Sequence, residues 1–339
     1  MKRIVIIGGG FAGAAVACKL QHQYDVTLLD TKDFFEFTPG ILYTIVHPGH
    51  AGKVQVKHTH YLKKGRFIQG EATKIKEKEV IVGQQRVPFD YLVLCGGSHY
   101  ASPIKQENLV LTARASALQQ QAEKLQKSKE ALIIGGGLVG IELAAEIAVA
   151  YPKIRITMVQ DSPQLAPRMN ERARQYAEDF LRKHKVELML GEKIISASKG
   201  RYKTDKGRTL KAEMAFLCTG IYPNSEFLPF ALTEQKYVNV NQYLQVEGHP
   251  AVFAAGDITA IAEEKTAQNA EEQAKIVIQN IHHMEQHTPL VPYQSKERIM
   301  VVSLGPRQGI LTYKKWAWKG FIPGLLKHAI EWKTMQRYR

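Results

Sequence analysis

Gly8, Gly10 and Gly13 follow the apolar run Ile4-Val5-Ile6-Ile7 at GxGxxG spacing, and Gly135, Gly137 and Gly140 repeat that spacing after Ala131-Leu132-Ile133-Ile134. The chemistry such a spacing serves is the binding of a dinucleotide pyrophosphate. The first glycine allows the tight turn, the second lets the backbone approach the phosphates, and the third lets the next helix pack close to the strand. The free N–H groups and positive dipole end of that helix then face the anion. Phe11 and Ala12 in the first turn, and Leu138 and Val139 in the second, fill the intervening positions. A second strand follows each Ala-rich helix, residues 26–29 ending at Asp30 and residues 156–159 ending at Gln160. One such turn alone is a weak signal; two in strand–helix–strand context are a strong one. Asp30 stands where a carboxylate accepts hydrogen bonds from the ribose hydroxyls. Gln160 can bond a hydroxyl but carries no charge to repel a 2′-phosphate, so NADH and NADPH are both expected, with Asp161 beside it as an acid able to take the same part. Two dinucleotide sites in one short chain point to hydride transfer from a nicotinamide to a flavin.

The elements that must position these turns fit the composition. A chain of 339 residues has room for two domains, and 45% apolar with 23% charged residues excludes a disordered chain. The α/β pattern predicts two Rossmann-like dinucleotide-binding domains, for FAD and for NAD(P)H, with a short amphipathic segment at the C-terminal end. Cys18, Cys95 and Cys218 lie far apart, which excludes a disulfide scaffold or a CxxC redox pair. The start of the chain shows no leader, and the apolar stretch 131–150 is interrupted by glycines and by Glu142 and Glu146. The expectation is an intracellular, cytoplasmic protein. His283 and His287 have helix-face spacing but no third ligand nearby, so no metal site is expected.

The net charge of +14 asks for an anionic partner. From Lys296 onward ten basic residues stand against two acidic ones, a surplus of eight and more than half of the total. All three tryptophans, Trp316, Trp318 and Trp332, lie in that region. Between them Phe321, Ile322, Leu325, Leu326, Ala329 and Ile330 recur at helical spacing, with Lys327, His328 and Glu331 off the stripe. Such a helix fits docking on the cytoplasmic face of an anionic membrane, each basic residue adding about 1 kcal/mol. Packing on the flavin domain or on a second subunit is the alternative, and a homodimer stays open. Removing residues 314–339 is expected to release the protein from vesicles without harming reduction of a water-soluble quinone; loss of FAD would favour packing instead. No zinc finger, RNP motif or basic helix-turn-helix supports a nucleic-acid partner.

Further motifs resemble the two-dinucleotide-binding-domain flavoproteins, the pyridine nucleotide-disulfide oxidoreductase-like proteins. Residues 89–98, with Cys95-Gly96-Gly97, resemble the return from the flavin domain. Residues 215–224, with Thr219-Gly220, resemble the return from the nicotinamide domain. Residues 252–258 resemble the second flavin motif, in which Gly256 and Asp257 would meet the ribityl chain. The resemblance implies a discontinuous flavin domain at 1–110 and 250–300, a nicotinamide domain at 111–249, and a membrane-associating segment at 301–339. Within the family, the lack of a cysteine pair excludes disulfide reductases and counts against sulfide:quinone oxidoreductases. Pro39 and Tyr43 fall on an aromatic, proline, leucine and tyrosine run like that of type II NADH:quinone oxidoreductases, where it passes the flavin ring. Ala267, Gln268, Ala270 and Gln273 match the AQxAxQQ signature of those enzymes, with Glu272 in place of a glutamine; the end of the chain resembles ferroptosis-suppressor quinone reductases. The resemblance implies a non-proton-pumping quinone reductase of the respiratory-chain type, with Glu142, Gln268 and Glu272 as catalytic candidates. Glu142 would lie beside the nicotinamide and flavin, while Glu146, one turn on, would face elsewhere. Reduction of an iron–sulfur protein, or redox signalling as in apoptosis-inducing-factor relatives, are the competing readings. Replacing Gln160→Glu should raise the NADH-over-NADPH ratio of kcat/KM; an unchanged ratio would remove this position from cofactor choice.

Overall fold

The computed structural model describes residues 1–99 and 111–339. Strand Arg3–Ile7 lies at the centre of a six-stranded sheet, because Ile4, Val5 and Ile6 present no polar side to water. Asp25–Asp30 and Tyr91–Leu94 flank it in parallel, with Ile6 opposite both Leu28 and Val93. Arg66–Gln69 and His249–Ala254 extend the parallel sheet on either side, and Gln245–Val246 closes one edge antiparallel. Runs buried on both faces are what a covered parallel sheet requires. Ile4 and Ile6 pack with Val16 of helix Phe11–Leu20 and Val277 of helix Ala267–Glu285; Val5 and Ile7 pack with Ile75 and Val80 of an antiparallel meander, Ala72–Lys76, Glu79–Val82 and Gln85–Pro88.

A second, four-stranded parallel sheet repeats the plan in the order Glu187–Leu190, Arg155–Gln160, Glu130–Ile134, Met214–Leu217. Helices Leu138–Ala150 and Glu171–Lys183 and a second meander, Ile194–Ser198, Arg201–Thr204 and Thr209–Lys211, belong to it. In both sheets the strand before the glycine turn has parallel partners on both sides. The fold is therefore α/β with two Rossmann-like dinucleotide-binding units. The chain returns to the first unit where Tyr222–Pro223 pairs with Ser98–His99. Leu228, Val238 and Val246 already share a core with Val5 and Leu92, so a boundary at 249/250 would cut through that core. The expected crossing at 110/111 falls at the edge of the segment outside the described residues.

The last forty residues are more than an amphipathic segment. Met300–Ser303, Gly309–Tyr313 and Trp316–Gly320 form a three-stranded antiparallel sheet, against which helix Phe321–Tyr338 packs. Only part of the anticipated apolar stripe turns inward: Ile330 packs on the core and borders the cavity. Ile322, Phe321 and Leu325 are 78%, 56% and 51% exposed, while Glu331, Thr334, Met335 and Tyr338 are buried. Tyr338 packs on Phe35 at 4.5 Å and Tyr61 at 5.2 Å between ring centroids. The helix thus belongs to the first unit's core, and removing residues 314–339 would expose that core instead of trimming a free tail. No helix among the described residues is long and apolar enough to cross a membrane. Replacing Tyr338→Ala should cost about 3–5 kcal/mol of stability, read as a lower urea midpoint; a midpoint unchanged would show that the helix end is not anchored.

Candidate active site

Each helix stands close to its strand because a side chain is missing. A Cβ at Gly13 would lie 1.8 Å from the Gly8 carbonyl oxygen, and one at Gly140 would lie 2.0 Å from that of Gly135. Gly8 and Gly135 themselves take φ of +97° and +106°, tight against the carbonyls of Cys95 and Cys218. Gly10 and Gly137 differ in kind: a Cβ there would meet nothing within 4 Å. Their lack of a side chain serves something outside the protein, as a pyrophosphate cradle would require.

The residues closing the two turns match. Asp30 accepts the Gly9 N–H at 2.5 Å and the Lys32 N–H at 2.9 Å. Gln160 accepts the Gly136 N–H at 2.5 Å, and its amide donates to Asp161 at 2.7 Å. Burial pushes the Asp30 carboxyl upward, but the hydrogen bond from His58 and the charges of Lys32 and His58 outweigh it and hold the group below its usual range. His58 itself is fully buried, with Nε2 3.5 Å from Asp30 and Nδ1 2.5 Å from the Tyr61 hydroxyl.

A cavity of about 1290 Å³ runs from the first turn to the C-terminal unit, larger than the about 300–1,000 Å³ common for small-ligand sites. Gly8, Gly10, Phe11, Ala12, Asp30, Pro39, Gly97, Gly256, Asp257, Ala267 and Gln268 all border it, with Leu138, Val139 and Glu142 on the far side. Asp257 accepts the Ser98 hydroxyl at 2.6 Å, and Gln273 accepts the Gly256 N–H at 2.7 Å, fixing the turn that presents Asp257. Gly13 and Gly140 pack behind their turns; Thr219 and Gly220 sit exposed beside Gly135, at the end of strand Met214–Leu217. These residues suit a flavin dinucleotide on the first turn: open backbone at Gly10, carboxylates at both ends, and apolar rings at Phe11 and Phe37 between them.

Glu272 does not border the cavity; half-exposed, it is held by Lys275 at 2.5 Å and faces Arg298 at 3.8 Å, and these partners keep its carboxyl below the usual range. Helical phase puts its neighbour Glu271 on the cavity wall, paired with Arg337 at 3.0 Å. Glu146 does not border the cavity that Glu142 lines: it is 2% exposed and bonds the Ser303 hydroxyl at 2.6 Å, while Glu142 accepts the Ser303 N–H at 2.6 Å and Lys327 Nζ at 2.5 Å. Two glutamates at i and i+4 on an otherwise apolar helix share a face, a signal available in the sequence. Lys327 and Ser303 carried none, since only the tertiary fold brings them there.

The glycine turns in paired parallel sheets, the apolar cavity and its carboxylates define a flavin- and nicotinamide-binding oxidoreductase. The family model for pyridine nucleotide-disulphide oxidoreductases matches residues 2–274, and this chain belongs to that family. It is 31% identical to human ferroptosis suppressor protein 1 over 91% of this chain and 87% of that one. It is 30% identical to apoptosis-inducing factor homolog B of Dictyostelium discoideum over 91% and 89%. In structure it resembles the Aquifex aeolicus sulfide:quinone oxidoreductase (TM-score 0.85, 18% identity, 100% and 92% covered) and NDH2 of Plasmodium falciparum in complex with NADH (0.83, 14%, 99% and 96%). Its cofactors are FAD and a nicotinamide dinucleotide. Because a side chain at Gly10 meets no protein atom, Gly10→Val should purify with native circular dichroism but without flavin absorbance; a yellow Gly10→Val protein would show that the pyrophosphate lies elsewhere.

Proposed function

We propose that this chain is an NAD(P)H:quinone oxidoreductase that docks on a membrane surface and takes its quinone from the lipid. The observation that carries the reading is the orientation of helix Phe321–Tyr338. Its apolar residues Phe321, Ile322, Leu325 and Trp332 face outward, continuous in sequence with exposed Trp316 and Trp318, and Lys314, Lys315, Lys319 and Lys333 flank them. Its inner residues Lys327, Ile330 and Thr334 border the cavity. One helix is therefore both a greasy, basic outer surface and a wall of the reaction chamber, which suits an apolar substrate leaving a bilayer. The structurally similar Aquifex aeolicus protein is itself a sulfide:quinone oxidoreductase.

Bound FAD would supply a carrier able to take two electrons from the nicotinamide and yield them to the quinone. The chain's own work is to position and shield. Gly8–Gly10 and Asp257 would hold the flavin dinucleotide, and the turn Gly135–Gly137 with Gln160 would hold the pyridine nucleotide. Alignment of the reacting rings then accounts for much of the rate. Gln268 and Glu142 present polar atoms to the cavity, where they can orient a carbonyl or carboxamide. Burial pushes the thiols of Cys95 and Cys218 up to about 12, so neither of these two supplies a thiolate to relay electrons to a disulfide.

Steady-state oxidation of NADH and of NADPH should accelerate with a water-soluble quinone and not with an iron–sulfur protein; the reverse order would support the competing reading. Burying each exposed apolar side chain in lipid is worth about 1.5–3 kcal/mol. The pair Ile322→Glu and Leu325→Glu should therefore weaken sedimentation with anionic vesicles by about tenfold or more. Sedimentation equal to wild type would remove this face as the docking surface.

A further inference from the structure

A pyridine nucleotide needs more than a cradle for its pyrophosphate. Where the strand after a glycine turn ends, an acid selects a free 2′-hydroxyl and a nearby arginine accommodates a 2′-phosphate. In the second unit that strand ends at Gln160, and its side chain is already engaged by the protein. The oxygen accepts the Gly136 N–H at 2.5 Å, and the amide donates to Asp161 at 2.7 Å. Choice between the two nucleotides therefore falls to the groups around it.

The neighbouring strand Glu187–Leu190 runs parallel, with Leu190 opposite Gln160. Just past its end the Gly191 N–H donates to the Ser162 carbonyl and the Glu192 N–H to the Gln160 carbonyl, both at 3.0 Å. Glu192 thus stands at the carboxyl edge of the sheet, one strand away from Gln160. The tip of the second meander folds back onto this edge. Ile194 pairs with Thr204, and the Lys193 N–H donates to Asp205 Oδ1 at 3.0 Å. Lys206 Nζ comes within 3.9 Å of the place a Cβ of Gly191 would take. Gly207 turns the chain at φ +82°, and the Arg208 N–H closes the turn on Thr204 Oγ1 at 3.2 Å. Lys193, Lys206 and Arg208 are all exposed. None is near Gln160 in sequence; the sheet and the meander bring them to its side.

Arg208 is the group held in a defined direction. Glu192 is 3% exposed, and its Oε2 has no hydrogen-bond partner among the described residues. Its Oε1 lies 3.5 Å from Arg208 Nε. A buried carboxylate is tolerable only when paired, so Glu192 anchors the guanidinium by its inner nitrogen. Among the described residues nothing engages the two outer nitrogens, and the side chain is 61% exposed. A planar fork fixed at one end and open at the other matches a phosphate monoester, which accepts two parallel N–H bonds. Two arginines of the loop and helix after Gln160 are turned to other partners: Arg168 to Glu264 at 3.1 Å, and Arg174 to Gln164 and to Glu171 at 3.7 Å. Asp161 and Asp205 are the opposing charges. Asp161 already takes the Gln160 amide and the Ser162 N–H, and Asp205 the Lys193 N–H.

We propose that Arg208, oriented by buried Glu192 and joined by Lys206, binds the 2′-phosphate of NADPH and makes this chain prefer NADPH to NADH. This holds on the reading that the pyridine nucleotide lies on the turn Gly135–Gly137, whichever compound takes the electrons. Arg208 meets the ligand. Glu192 is a positioning residue and acts through it.

The test measures binding of NADP⁺ and of NAD⁺, which differ only in the 2′-phosphate, to full-length holoenzyme by calorimetry. Wild type should bind NADP⁺ about tenfold or more tightly than NAD⁺, and added salt should shrink that margin. Arg208→Gln should erase the margin by weakening NADP⁺ alone. Arg208→Lys, which keeps the charge without the fork, should restore only part of it. Glu192→Gln should lose part of it by releasing the guanidinium. With ferricyanide as acceptor, Arg208→Gln should raise KM for NADPH about tenfold more than KM for NADH, the effect lying in KM and not in kcat. Equal binding of the two nucleotides by wild type, a margin that survives Arg208→Gln, or equal weakening of both nucleotides by that change would overturn the proposal. Gly137→Val should abolish binding of both; retention of both would place the nucleotide away from this turn and remove the part given to Arg208. Failure of quinones to accelerate NADPH oxidation would overturn the quinone-reductase reading and leave the binding result as it stands.

Discussion

A methyl group at Gly13 would sit 1.8 Å from the Gly8 carbonyl oxygen, and one at Gly140 would sit 2.0 Å from that of Gly135. No rotamer change relieves such a clash, because both atoms are bound directly to backbone. The two helices therefore approach their strands as they do only while these positions stay bare. That approach aims the first N–H groups of each helix at the place where Gly10 and Gly137 leave space. The sheets, the meanders and the return segments at Cys95 and Cys218 are arranged around these two contacts.

The loops that close the turns show how a buried polar group is satisfied twice over. Asp30 and Gln160 each accept an N–H from the middle of the glycine turn at 2.5 Å. One has a charge and the other does not, so their shared duty is structural, and their difference is left for the ligand to read. At the first turn His58 lies under the carboxylate and holds it ionised. At the second, the nearest charge is Asp161, joined to the Gln160 amide.

The C-terminal helix reverses the usual arrangement of an amphipathic element. Lys327 and Glu331 point inward because partners wait there: Glu142 at 2.5 Å for one and His50 at 2.6 Å for the other. Inward-facing charges are tolerable only when paired. Once they are, Phe321, Ile322 and Leu325 are left facing outward, while Ile330 alone of the stripe borders the cavity. Helical periodicity alone reads such a stripe as a seam without saying which medium covers it.

Both glycine turns, their flanking strands and the second flavin motif were legible in the sequence, because each is set by neighbours a few residues away. Backbone freedom at Gly8, β-branched runs and short-range spacing are local properties, and they decided the class of fold and the cofactors. The cavity wall was not legible in the same way. Glu272 and Glu271 are adjacent, and only the helix's orientation against the C-terminal unit decided that Glu271 borders the cavity while Glu272 meets solvent. Glu146 was readable as lying one turn from Glu142, but not as buried against Ser303, more than 150 residues away. The sequence by itself determined the two nucleotide-binding frames and the chemistry they serve. The tertiary structure alone decided which charged groups close the chamber and which apolar face is left outside, because pairing across the chain follows from packing and not from spacing.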